Sequence, residues 1–167
     1  KVRIFLSGKK YSLTSKEYLP LLETLQPHLN AKSSGLSSLP EFNLPMKYLA
    51  FEDFNTRGLE GNPEEFYVEN NSDKTPHNFY YFWRNVGRSG KTDDQLGRWG
   101  LGKTVFPASS KINTFWGLTV RKSDQRKLLM GQSILRIHNR EDEKKEECGY
   151  RPYGMYGNYI GTDCFAL

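Results

Sequence analysis

The sequence predicts an α/β (α+β) fold, a two-layer sandwich in which helices cover one face of a mixed β-sheet. Three observations carry that expectation. Residues 2–6 and 46–53 are apolar runs of strand length. Apolar side chains recur at helical spacing after the first run and again over residues 78–86. Residues 112–121 and 128–138 are two longer strand-like segments around a hydrophilic turn, the pattern of a hairpin.

Each element has its own local reason. Val2 to Leu6 alternate as a strand, and Gly8 to Lys10 supply a turn. Thr14 followed three residues later by Glu17 has the spacing of a capping box, which opens a helix. Tyr18, Leu21, Leu22, Leu25 and Leu29 form its apolar face, while Pro20 and Pro27 distort or shorten it. Residues 31–45, rich in Ser, Gly and Pro, make a loop. The strand at 46–53 is apolar enough to be buried on both faces, and its acidic end, Asp53, emerges at a glycine-containing turn. Phe79, Phe82, Trp83 and Val86 stand at i, i+3, i+4 and i+7, a helix packed through aromatics. Residues 103–109 are a short helical candidate interrupted by Pro107, and 140–147 carry charges of both signs, a solvated turn. The Gly- and Tyr-rich stretch 149–159 shows no period, and 139–167 reads as a peripheral extension of a single domain, 1–167.

At 167 residues the chain is long enough to bury a core without disulfides or metals. Cys148 and Cys164 have no metal-like spacing, and His28, His77 and His138 are scattered, so free thiols are expected and a zinc site is not. No run approaches the roughly 20 apolar residues of a membrane span, so a cytoplasmic protein with no membrane partner is expected. A formal net charge of +5 suits an anionic ligand or a nucleic-acid neighbour without selecting either. The chain opens at Lys1 directly in a strand, which reads as a fragment of something longer.

The motif that matters most is Gly97-Arg98-Trp99-Gly100-Leu101-Gly102-Lys103-Thr104. As G-x-x-x-x-G-K-T it fits a P-loop, in which backbone amides face a phosphate and Lys103 and Thr104 serve the terminal phosphates and magnesium. As G-x-x-G-x-G opening a helix it fits a lid that closes over a triphosphate. A P-loop needs a buried strand running into its first glycine, yet residues 90–96 are polar and flexible in composition, and the acidic strand lies upstream instead of downstream.

Asp53 closing a strand, Asn55 and Gly58-Leu59 in the turn after it, and the later Gly97, Gly100, Gly102 box resemble the GHKL ATPase superfamily, which has a Bergerat-like sandwich. The resemblance covers about residues 46–121 and is closest to the chaperone-like ATP-binding domains of bacterial proteins. Asn85-Val86-Gly87-Arg88-Ser89-Gly90-Lys91 is similar to the Ser-Gly segment ahead of the lid in that branch. The resemblance implies ATP as ligand, with Asp53 accepting a hydrogen bond from the adenine amino group. It gives Gly58-Leu59 a close-approach role, and makes Gly97, Trp99, Gly100, Leu101 and Gly102 the lid. It also implies Mg²⁺ held by an asparagine, and hydrolysis by a glutamate, on a helix ahead of the aspartate strand. The sole helix candidate there lacks a Glu-x-x-x-Asn pair, so that helix is expected upstream of Lys1 and ATPase activity only in the intact protein, whose other domains would be the partners. Glu69-Asn70-Asn71-Ser72-Asp73 imitates the pair but follows Asp53, and reads better as a turn.

The first box departs from the usual D-x-G-x-G by carrying Asn55 in place of a glycine and one extra residue before Gly58. Asn tolerates positive φ, so the turn survives the exchange. Several residues keep two readings. Asp53 reads adenine or caps a turn; Lys103 grips a phosphate or sits solvated in a first helical turn. Arg88, Ser89 and Lys91 close over phosphates or form a basic loop; Trp99 anchors the lid or stacks. Arg121, Lys122, Arg126 and Lys127 are a wet hairpin end or touch a nucleic-acid backbone. The resemblance implies a nucleotide-dependent switch, with a P-loop NTPase and a non-enzymatic nucleic-acid-binding module as the alternatives.

Overall fold

The computed structural model describes residues 1–68, 75–85, 102–143 and 149–167. They form a mixed α+β structure of short helices and small, mostly antiparallel sheets. The chain packs as two units, Lys1–Thr56 with Ile134–Tyr153 and Arg57–Ser133 with Gly154–Leu167. Among the described residues the strands fall into separate sheets, ordered β1-β2, β3-β4-β5 and β6-β7.

The first unit begins with β1 (Val2–Leu6) and turns at Gly8, whose φ of 56° suits glycine. Helix α1 (Ser15–Leu22) starts where the capping pair places it: the Glu17 carboxylate accepts from the Thr14 amide at 2.7 Å and the Thr14 hydroxyl at 2.8 Å. The backbone bond is the main reason that the Glu17 carboxyl lies below its ordinary range. Pro20 falls inside α1, which ends two residues later, and a separate turn α2 (Gln26–Leu29) carries Pro27 at its start, where its missing N–H costs nothing. Tyr18, Leu22 and Leu29 are buried, and the Tyr18 hydroxyl lies 2.5 and 2.9 Å from the carbonyls of Phe42 and Leu44.

Strand β2 (Leu49–Asp53) pairs antiparallel with β1, Val2 opposite Asp53, Ile4 opposite Phe51 and Leu6 opposite Leu49. Here the expectation of a strand buried on both faces is corrected. Leu49 is 48 % exposed and Phe51 53 %, while Val2, Ile4 and Leu6 beside them are between 59 and 73 % exposed. An apolar run makes a central strand only if neighbours flank it and layers cover it; among the described residues β2 has one neighbour, β1.

The second unit holds α3 (Asn78–Trp83), a 3₁₀ turn (Gly102–Thr104), α4 (Val105–Ala108), β3 (Thr114–Val120) and most of β4 (Lys127–Ile134) and β5 (Tyr153–Tyr156). It ends in β6 (Asn158–Ile160) and β7 (Asp163–Phe165), an antiparallel pair. β3 and β4 make the expected antiparallel hairpin, Thr114 opposite Ser133 and Val120 opposite Lys127. Its core is Phe79, Trp83, Leu128, Met130 and Cys164, joined by Leu59, Phe82, Phe115, Met155 and Ala166. Trp83 stacks on Phe115 with centroids 5.4 Å apart and planes 9° from parallel. Gly117 lies under the same indole, where a Cβ would stand 2.9 Å from the ring. Leu129 and Leu167 exchange two backbone bonds of 3.0 Å, so the chain end is tied to β4. The tail thus holds three strands that the aperiodic Gly and Tyr pattern conceals. Among the described residues, no helix is long and apolar enough to cross a membrane, and Cys164 is a free, buried thiol.

Candidate functional site

Asp53 ends β2 in the first unit, exposed, opposite Val2. The ladder continues past it for one residue, since Phe54 donates from its amide to the Lys1 carbonyl at 2.8 Å. Asn55 follows, also exposed, with φ of 63°, and Gly58, the first half-buried position of the second unit, has φ of 72°. The two positions that must leave the ordinary φ range do so, with Asn accepting the left-handed conformation that is costly for other side chains.

Gly58 is required for a second reason. A Cβ there would stand 2.4 Å from the Val120 carbonyl oxygen and 2.8 Å from Thr119 Oγ1. The next amide, Leu59, donates to Thr119 Oγ1 at 2.8 Å, and the Leu59 side chain packs on the aromatic core. Close approach at Gly58-Leu59 is therefore an approach to the end of β3, which fixes the turn from behind.

Glu60 completes this anchoring. It is buried, and its carboxylate accepts from the amides of Lys122 at 3.1 Å and Ser123 at 3.0 Å and from the Ser123 hydroxyl. The hydroxyl bond is the leading cause of a carboxyl pKa below the ordinary value. Arg121, buried behind it, bonds the Gly61 carbonyl at 2.7 Å and pairs with Asp124 at 3.2 Å and Glu60 at 3.9 Å. Nothing in the spacing of Glu60 marks it: a lone acid after a glycine is ordinary until the hairpin tip is known to meet it.

Lys103 has a definite place too. Its ammonium donates to the carbonyls of Tyr81 at 2.8 Å, Phe82 at 2.9 Å and Asn85 at 2.7 Å. The first two belong to the C-terminal end of α3 and the third lies just beyond it, where carbonyls lack helical partners and the helix dipole favours a cation. Burial pushes the amine pKa down to about 8, and three carbonyl acceptors match the three N–H groups of the ammonium form. In this arrangement its protons are directed to protein carbonyls. Thr104 occupies the N-cap position of α4 without a side-chain cap bond, and Gly102 is exposed, with nothing among the described residues within 4 Å of a Cβ placed there.

Arg88, Ser89, Gly90, Lys91, Gly97, Trp99, Gly100 and Leu101 lie outside the described residues, as does the Glu69 to Asp73 segment. Of the site residues read from sequence, the structure anchors Gly58 and Leu59 to β3 and Lys103 to α3. Asp53 and Asn55 belong to the other unit. Among the described residues no group of three His, Cys, Asp or Glu is arranged to hold a metal ion. Comparison with family models, with curated proteins and with solved structures finds no match to the chain.

Proposed function

We propose that the chain is the ATP-binding module of a GHKL-type ATPase with a Bergerat-like two-layer sandwich, acting as a nucleotide-dependent conformational switch. Asp53 accepts the adenine amino hydrogen, Gly58-Leu59 hold the turn, and the segment from Arg88 to Gly102 closes over the triphosphate. The observation that carries the reading is the backbone of the turn after Asp53. Asn55 and Gly58 both take positive φ, 63° and 72°, a backbone that a glycine-containing turn accepts readily.

The nucleotide supplies the phosphoanhydride whose hydrolysis times the switch. On this reading, release of the closed segment after hydrolysis transmits the change to attached domains. The P-loop alternative is disfavoured by the Lys103 ammonium, whose three protons are directed to the carbonyls of Tyr81, Phe82 and Asn85. Titration of ATP into the wild-type chain, Asp53→Asn and Lys103→Met tests the reading. Loss at Asp53 with retention at Lys103 supports it; loss at Lys103 alone rejects it in favour of a P-loop.

A further inference from the structure

The tip of the β3–β4 hairpin presents a different surface, and we propose that it docks the phosphodiester backbone of duplex nucleic acid through Arg57, Lys122, Arg126 and Lys127. All four side chains are exposed. The backbone brings them together: the Lys122 amide donates to the Arg57 carbonyl at 3.0 Å, the Arg121 amide to the Arg126 carbonyl at 3.0 Å, and Lys127 stands opposite Val120.

The acids of the same tip are turned to internal work. Glu60 is buried on the Lys122 and Ser123 amides, and Asp124 accepts from the Arg126 amide at 3.1 Å while pairing with Arg121. Arg121, one of the four cations that the sequence clusters there, is thereby consumed as a counter-ion at 8 % exposure. Arg57, remote in sequence, takes its place on the outside. Asp124 keeps 35 % side-chain exposure and subtracts from the positive field.

The chemistry of the tip selects the partner. Residues 118–129 contain no aromatic side chain, so they offer no platform for the stacked bases of a single strand and no aromatic anchor for a bilayer interface. Four cations on flexible stems suit regularly spaced phosphates, and a two-stranded β-ribbon is narrow enough for the major groove.

The test is fluorescence anisotropy of a mixed-sequence duplex of about 20 base pairs, with no nucleoside triphosphate present, between about 50 and 200 mM salt. Affinity should fall linearly on a log–log scale, by up to about 150-fold over that range if all four cations engage, at a slope near 0.9 per phosphate. The reversal R57E/K122E/R126E/K127E should abolish binding. The reversal K9E/K10E/K16E/K47E, exposed positions of the other unit giving the same net charge, should preserve it. If the first reversal fails to fold by circular dichroism, K122Q and R126Q singly should each lower the slope by about 1, and D124N should raise affinity. Three results overturn the proposal: no duplex binding at the lowest salt, equal loss in both reversals, or tighter binding to phosphatidylserine vesicles or single strands than to duplex. Because no triphosphate is present, failure here leaves the adenine reading standing.

Discussion

Two antiparallel pairs in this chain have similar sequences and opposite fates. β1–β2 and β3–β4 both carry closely spaced apolar residues on short strands. In the hairpin, Leu128 and Met130 are 4 and 1 % exposed because Phe79 and Trp83 of α3 lie in one cluster with them. In the ribbon, Val2, Ile4 and Leu6 with Leu49 and Phe51 share one face and remain about half exposed or more. The pattern of apolar residues encodes a strand and sorts its faces; a covering layer, contributed by a distant segment, decides burial.

The comparison can be broken most directly by truncation. Trp83→Ala should cost about 3–5 kcal/mol in urea denaturation, whereas Phe51→Ala should cost under about 1 kcal/mol. Similar losses would mean that the ribbon face is covered in solution. Glycine substitution sharpens the contrast between turns. Gly58→Ala combines positive φ with a 2.4 Å approach to a carbonyl and should cost about 2–3 kcal/mol. Gly8→Ala, with positive φ in open space, should cost about 1 kcal/mol by the same assay.

Lys103→Met strips the cation from the carbonyl end of α3 and should destabilise by about 1.5–3 kcal/mol, read as a lower melting temperature. Lys103→Arg should recover part of the loss.

The smallest effect belongs to the first unit. His28 Nδ1 stands 2.9 Å from His138 Nε2, whose own Nδ1 lies 2.8 Å from the Arg136 carbonyl. The carbonyl can only accept, so His138 donates from Nδ1. Burial first, and then His138 and Arg140, hold the His28 pKa below its ordinary value, with Asp142 and Glu143 opposing. The folded state therefore binds fewer protons, and stability present above about pH 6.5 should decline as pH falls through that value. Chemical denaturation of wild type and His28→Gln at pH 7.5 and 5.5 should show a pH-dependent loss that is smaller in the variant.

Local chemistry was the readable part of this sequence. Thr14 and Glu17 announced α1, Pro20 and Pro27 announced its division, the aromatic spacing from Phe79 announced α3, and Lys122 to Arg126 announced the hairpin turn. The exposure of β2 was unreadable because it depends on which segments cover it. β5 and β6 were unreadable because Tyr and Gly recur there with neither period, and β7 because three residues, Asp163 to Phe165, are too few to show one. At the candidate site, the tolerance of Asn55 for positive φ was deducible from its residue type. The attachment of Lys103 to α3 and of Glu60 to the hairpin tip was not, since each joins groups brought together only by folding.

The central claim is that the Asp53 carboxylate reads the adenine amino group, and one pair of titrations addresses it without relying on turnover. Calorimetry should compare ATP with inosine triphosphate, which carries a 6-oxo group in place of that amine, on wild type and on Asp53→Asn. A charge-assisted hydrogen bond of about 1.5–3 kcal/mol corresponds to a preference for ATP of roughly 10- to 150-fold. The account expects that preference in wild type and in Lys103→Met, and its collapse in Asp53→Asn through weaker ATP binding. Equal affinities for the two nucleotides in wild type, or an undiminished preference in Asp53→Asn, would contradict it.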